Sequence, residues 1–372
     1  MRRFALLAII IALIFTLGCV QRDSPVQENT ENSSVENRPI TAESSLKESA
    51  ATEKEDHDER VETAAVKEKE EKLNTAPVEV GIEESATGLK AVLWVTKDFG
   101  SEQMVSQEVA VGQNYTVMDI LHSNLSIETQ YGGGFVASIN NLESGYMGAD
   151  KKKWDWFYYM NGIMTSVGAQ DYSPGPREVI WWDYHTWGAS YFTPAVIGAF
   201  PEPFVSGYQG KNPGTTVLVT DGCEEEGERL AQYLRNSGVK TVEIKPYSEE
   251  LVAADQRITI VVGLWNQLGQ DKQIQGLQKH REKTGLYVKF DPQYFSSLNI
   301  YGHEVERYHE NTGAIVATGT GMGDVTPLWL VTGLDKRGLE KAVNLLINDA
   351  AKIKQHFGAI VTDHGVVAVP VI

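Results

Sequence analysis

The chain has 372 residues, 50 of them acidic and 33 basic, for a net charge of −17. That acidity weighs against nucleic acid and against direct docking on anionic lipid, while the length allows more than one core. Cys19 and Cys223 are the only cysteines, so packing rather than a disulfide framework must hold the fold.

Arg2 and Arg3 precede an apolar run from Phe4 to Leu17 that ends at Gly18-Cys19. Such a run is short of the roughly 20 residues a bilayer span needs and suits the h-region of an export signal. Gly18-Cys19 resembles a bacterial lipobox, although Thr16 and Leu17 depart from its commonest form. The resemblance implies a signal over residues 1–19 and a lipid on Cys19, which would place the protein at the extracytoplasmic face of the cell membrane. Residues 20–85 carry 18 acidic and 8 basic side chains and no Phe, Trp or Tyr. A segment this polar cannot offset its ordering entropy by burial, so it is expected to be a disordered tether. Removing its charge and that of the signal leaves about −9 for the remainder.

Residues 86–190 read as a small β-rich domain. Strands are expected at Lys90–Thr96, Val105–Val111, Phe135–Ile139, Trp156–Met160 and Glu178–Tyr184. A helix starts after Thr116, a good N-cap, and Asn161-Gly162 is a type I′ hairpin signal. Four of the eight tryptophans lie between Trp154 and Tyr184. Buried Trp and Tyr need partners for their polar edges, so this density suggests a surface that holds something flat and large. Strand parity puts Trp154, Trp156 and Tyr158 on one face and Phe157 and Tyr159 on the other. One of those faces is expected to be core.

The order of motifs is "Thr-Val-Met-Asp-Ile-Leu", "Gly-Gly-Phe-Val-Ala-Ser-Ile-Asn", "Trp-Phe-Tyr-Tyr-Met-Asn-Gly", "Gly-Ala-Gln-Asp-Tyr" and "Glu-Val-Ile-Trp-Trp". It resembles the transcobalamin-like C-terminal domain, the β-rich unit of transcobalamin and intrinsic factor, over about residues 88–187. The resemblance implies a cobalamin-like corrinoid as ligand. It implies ligand-facing positions at Trp156, Phe157 and Tyr158, with Asn141 and Leu142 in the preceding loop. Trp154 joins them by sharing the face of Trp156. The large helical domain of the vertebrate carriers has no counterpart here. Another ligand, a protein partner or purely structural use of the rings remain the alternatives.

Residues 191–214, with Pro194, Pro201, Pro203 and Pro213, read as a linker. Residues 215–372 alternate strands and helices, which implies an α/β domain with a mostly parallel sheet. The fold class is therefore α+β: a small β-rich domain followed by an α/β domain, after the tether.

Catalytic signals are weak. Gly319–Gly323 is a glycine-rich loop without the Lys-Ser/Thr or following helix that a phosphate cradle needs. Cys223 stands at a helix start beside Glu224-Glu225-Glu226 and reads as a buried structural thiol. His303 and His309 are six apart, off the spacing that aligns two ligands on a helix, and no third ligand is evident. Ser44–Lys47 and Ser237–Lys240 match Ser-x-x-Lys by chance. No enzyme is indicated and no cofactor is required. The reading is a lipid-anchored surface protein that binds a corrinoid or other small molecule, with a membrane transporter or envelope component as further partner. The alternative is a surface module that contacts protein or envelope polymer.

Overall fold

The computed structural model describes residues 88–372 except Asp255, with the backbone alone of Ala253 and Ala254. The expected signal, the lipid site at Cys19 and the acidic segment lie outside the described residues.

The β-rich part begins with β1 (Lys90–Lys97) and β2 (Glu102–Ala110), then α1 (Val117–Asn124). β3 (Ile127–Gln130), β4 (Phe135–Ile139) and β5 (Leu142–Glu143) form a small antiparallel sheet. β6 (Trp154–Met160), β7 (Ile163–Met164) and β8 (Val179–Thr186) follow. The main sheet has the order β2-β1-β8-β6-β7, with β1 and β8 parallel. α1 starts as its sequence demands: the Thr116 hydroxyl accepts from the Asp119 N–H, and the Asp119 carboxylate accepts from the Thr116 N–H, a reciprocal capping box. Those bonds hold the Asp119 carboxyl below its usual range. At the β6–β7 turn Asn161 and Gly162 both take positive φ, 55° and 78°, as the type I′ geometry requires.

The second part runs through β9 (Thr215–Val219), α2 (Glu224–Asn236), β10 (Val242–Pro246), α3 (Glu249–Ala254), β11 (Ile258–Leu264) and α4 (Trp265–Leu268). α5 (Lys272–Lys279) and α6 (Arg281–Thr284) lead to a three-stranded antiparallel sheet of β12 (Val288–Phe290), β13 (Phe295–Leu298) and β14 (Glu304–Tyr308). The chain ends with β15 (Gly313–Thr318), β16 (Leu328–Gly333), α7 (Lys336–Asn348), β17 (Gly358–Thr362) and β18 (Gly365–Val369). The large sheet has the order β10-β9-β11-β16-β15-β17-β18. Its parallel pairing covers the first four strands, and the remaining pairings are antiparallel. The direct returns β15–β16 and β17–β18 are antiparallel, as short connections require, and β15 runs against both its neighbours, so the sheet is mixed.

The two parts share a core. Trp94, Tyr159 and Trp181 from the main sheet pack in one cluster with Leu218, Val261 and Phe357 from the α/β part. The opposite face of the main sheet buries Leu93, Val95, Trp156 and Met160 against Ile120 and Leu121 of α1 and Ile139 of β4. Residues 191–214, expected as a linker, lie between and are themselves largely buried. Ala195, Val196, Ile197 and Phe204 are at most 1% exposed. Their backbone extends the sheet beside β7, where Met164 N–H donates to Pro194 O at 2.9 Å and Val196 N–H to Gly162 O at 2.8 Å. The prolines punctuate this stretch, but its apolar residues decide where it goes.

Candidate functional site

Both faces of β6 and β8 are covered, and this redistributes the aromatic residues. Tyr158 stacks on Trp182 with centroids 4.8 Å apart and planes 9° apart, buried among the α1-side residues. Tyr159 and Trp181 lie on the other face, 5.7 Å apart, with Phe357 set edge-on to each. Trp156 is buried, and its indole N–H donates to Leu142 O at 3.0 Å, which ties the small sheet to the large one. The structure thus brings Trp156 and Leu142 together, as a packing contact. Asn141 is exposed at the tip of the β4–β5 turn, where Asn140 and Asn141 both have positive φ. Asn161, a further amide in the sequence motif, is fully used: its side-chain N–H2 donates to Glu178 and to Gly207 O, and its oxygen accepts from Val179 N–H.

Phe157 faces the other way and closes a buried polar hub. Asp183, with no exposed surface, accepts hydrogen bonds from the Thr96 hydroxyl, Gly100 N–H at 2.8 Å and Phe99 N–H at 3.1 Å. Its fourth contact is His185 Nδ1 at 2.7 Å. Thr96 in turn accepts from the Trp181 indole at 2.7 Å. Asp98, Phe99 and Gly100 all have positive φ, and this left-handed bend aims two successive N–H groups at the carboxylate. The His185 ring is held between Phe99 at 4.3 Å and Phe157 at 4.1 Å. With Asp183 and His185 both buried, this pair clamps the β1–β2 turn onto the sheet rather than meeting a substrate. Sequence reasoning missed the hub. Its signal was an Asp inside the otherwise apolar "Ile-Trp-Trp-Asp-Tyr-His".

A second polar knot ties the β-rich part to residues 191–214, where the Asn161 amide donates both to Glu178 and to Gly207 O. Glu178 accepts from Asn161, from the Tyr172 hydroxyl at 3.0 Å and from Gly175 N–H at 2.6 Å. Burial pushes its carboxyl upward. Glu202 accepts from the Ser206 N–H and hydroxyl, and burial pushes its carboxyl up to about 7.

The rings left open gather at the start of β6 and the end of β8. Trp154 is half-buried and lies 5.9 Å from Tyr184, which also contacts Trp156 at 5.3 Å. Tyr146, 44% exposed, meets Trp187 edge-on at 5.7 Å. Lys151 lies over Tyr146 and Lys153 over Trp187, each 5.4 Å from the ring centre. Gly145 lets the loop close on this rim: a Cβ there would stand 3.2 Å from both the Tyr184 hydroxyl and Trp154 O. Of the sequence-predicted residues only Trp154 belongs to this rim. Tyr146, Tyr184 and Trp187 complete it from outside the predicted set.

The remaining motifs are structural where they fall. Cys223 is buried at the N-cap of α2. In the glycine-rich loop, Asp324 accepts from Thr320 N–H and Thr326 N–H, while Gly323 N–H donates to Met164 O at 2.7 Å, so the loop braces β7. His303 and His309 are exposed at the two ends of β14. Among the described residues no group of three His, Cys, Asp or Glu could hold a metal ion. No described helix is long and apolar enough to cross a membrane.

None of the curated proteins matches the chain. Residues 114–186, from just before α1 to the end of β8 and including most of the aromatic rim, match the family model described as Domain of unknown function (DUF4430).

Proposed function

We propose that this is a membrane-anchored extracytoplasmic lipoprotein, held by a lipid on Cys19, that captures a cobalamin-like corrinoid on its aromatic rim. The observation that carries this reading is the half-open set of Tyr146, Trp154, Tyr184 and Trp187, inside the segment whose motif order resembles the transcobalamin-like domain. A corrin is broad, with an apolar rim and amide arms, and open aromatic faces suit it. The two lysines over the rim add cationic donors for the ligand's phosphodiester. In this reading Trp156 and Tyr158 support the rim from within, and Phe157 serves the Asp183 hub. No cofactor is needed. A membrane transporter is the partner to which captured ligand would pass.

The test is calorimetric titration of the full chain in mild detergent with cyanocobalamin. Binding that weakens at least tenfold in Trp154→Ala supports the reading. Absence of heat at high micromolar ligand sinks it. Because the rim is an open edge rather than an enclosed cavity, a second reading follows: the same rings contact protein or envelope polymer. Retention on envelope material that is lost with Trp154→Ala would favour it. The lipid is tested separately. Cys19→Ser should abolish membrane retention, and unchanged processing would refute the anchor.

A further inference from the structure

In a chain of net charge −17, residues 272–289 carry five Lys or Arg against one acidic residue, Glu282, a local net of +4. This segment forms α5, α6 and the start of β12. Along α5 runs an open recess of about 710 Å³ lined by Lys272, Gly276, Lys279, His280, Arg281 and Lys289, with Gln275 and Gln278. No acidic residue lines it. Lys279 and Arg281 also border a second recess of about 200 Å³ that reaches Ser190 and Tyr301 and includes Glu282.

Glu304 is already bonded to Lys289 and to Arg307 at 3.1 Å, and Glu282 lines the smaller recess, not the one along α5. Lys272, Lys279 and Lys283 are exposed and Arg281 is half-buried, and the described residues give none of these four a side-chain partner. Lys272, Gln275, Gly276 and Lys279 fall at i, i+3, i+4 and i+7, hence on one helical face, with the two lysines roughly 10 Å apart along the axis.

Gly276 is the independent observation. A glycine inside a helix costs about 1 kcal/mol relative to alanine. Here, apart from its chain neighbours and its own helix backbone, no atom lies within 4 Å of where its Cβ would be, so packing does not demand it. It leaves a bare strip of helix between two unpaired lysines, where a thin chain can lie close to the backbone.

We propose that this strip binds a linear phosphate polymer, a polyphosphate or phosphodiester chain without bases. Lysine ammonium groups act as compact point charges toward successive phosphates, and Arg281 in the lining of the recess offers a guanidinium fork that pairs with phosphate oxygens. No Phe, Tyr or Trp lines the α5 recess, whose one ring is the His280 imidazole, so it lacks the run of stacking platforms on which single-stranded nucleic acid relies. The assignment is independent of the corrinoid reading, because the strip and the aromatic rim share no residue.

The test is titration of the full chain with long-chain inorganic polyphosphate, and with poly(glycerol phosphate) as the phosphodiester source, at low salt. Both Gly276→Leu, which fills the strip while improving helix propensity, and Lys272→Glu/Lys279→Glu should weaken binding at least tenfold. The charge change Lys352→Glu, made elsewhere on the surface, should not. Affinity should fall steeply with added salt. Absence of binding to both polymers, equal loss in Lys352→Glu, full binding by Gly276→Leu, or preference for oligo-dT or polygalacturonate would each overturn the proposal.

Discussion

The inner and outer ends of the β6–β8 pair use the same residue types for opposite purposes. Toward the β7 end, Tyr158, Tyr159, Trp181 and Trp182 are closed on both sides, by α1 and the small sheet on one face and by the α/β part on the other. At the start of β6 and the end of β8, Trp154, Tyr184 and Trp187 keep part of their surface open beside Tyr146. Aromatic density on a strand therefore does not by itself mark a binding face. What decides is whether a second layer covers the ring.

The largest effect that would break this comparison is at the inner end. Trp181 has no exposed surface and contacts Trp94, Tyr159 and Phe357. Trp181→Ala should cost on the order of 3–5 kcal/mol, through the lost rings and the cavity left behind. It also removes the donor to Thr96. Chemical denaturation checks this, and a loss below 1 kcal/mol would mean that the inner rings are not core.

Asp183→Ala comes next. It leaves two backbone N–H groups, a hydroxyl and His185 without their acceptor in a buried site, a loss of about 3 kcal/mol. Hydrogen exchange should show the β1–β2 turn opening first, since Phe99 and Gly100 lose their anchor.

Glu202 gives an effect of opposite sign. Its carboxyl is raised to about 7 from an ordinary 4.5, with burial as the main cause. Between those values the folded chain holds a proton that the unfolded chain releases, so stability falls as pH rises through that window and levels off above it. Glu178, also raised by burial, acts in the same direction. Glu202→Gln should remove its share of the fall and stabilise the protein near pH 8 by on the order of 2 kcal/mol. Melting curves between pH 4 and 8 would show it, and a variant with the wild-type slope would contradict the assignment.

At the outer end the smallest change in stability is expected. Trp154→Ala should cost about 1 kcal/mol or less, because the ring is already half open. Its effect should be on ligand rather than on fold.

Much of the local structure was legible. Thr116 announced the α1 cap, Asn161-Gly162 its hairpin, and the alternation of strands and helices the parallel pairing of β9, β11 and β16, within a sheet that is mixed as a whole. Strand parity correctly separated Trp156 and Tyr158 from Phe157 and Tyr159. Parity tells which side chains share a face, however, and not what covers that face. Taking residues 191–214 as a linker left one face of the main sheet free in expectation, whereas Val196, Ile197 and Phe204 bring the α/β part onto it. The site shifted for the same reason. Tyr146 sits in a loop without periodicity, and Tyr184 and Trp187 matter only because β8 pairs with β6 in the register Trp156 to Tyr184. The cationic strip on α5 was visible as charge, but the empty space at Gly276 is a property of the folded surface alone.

The division between a closed inner end and an open outer end is tested most directly by cyanocobalamin titration of the full chain and three variants. These are Trp154→Ala, Trp187→Ala and Trp182→Phe, each with its melting temperature measured alongside. The account predicts at least tenfold weaker binding with nearly unchanged melting for the two rim variants, and lower melting with near-native affinity for Trp182→Phe. Rim variants that bind as the wild type does, or a chain that binds no corrinoid, would contradict it.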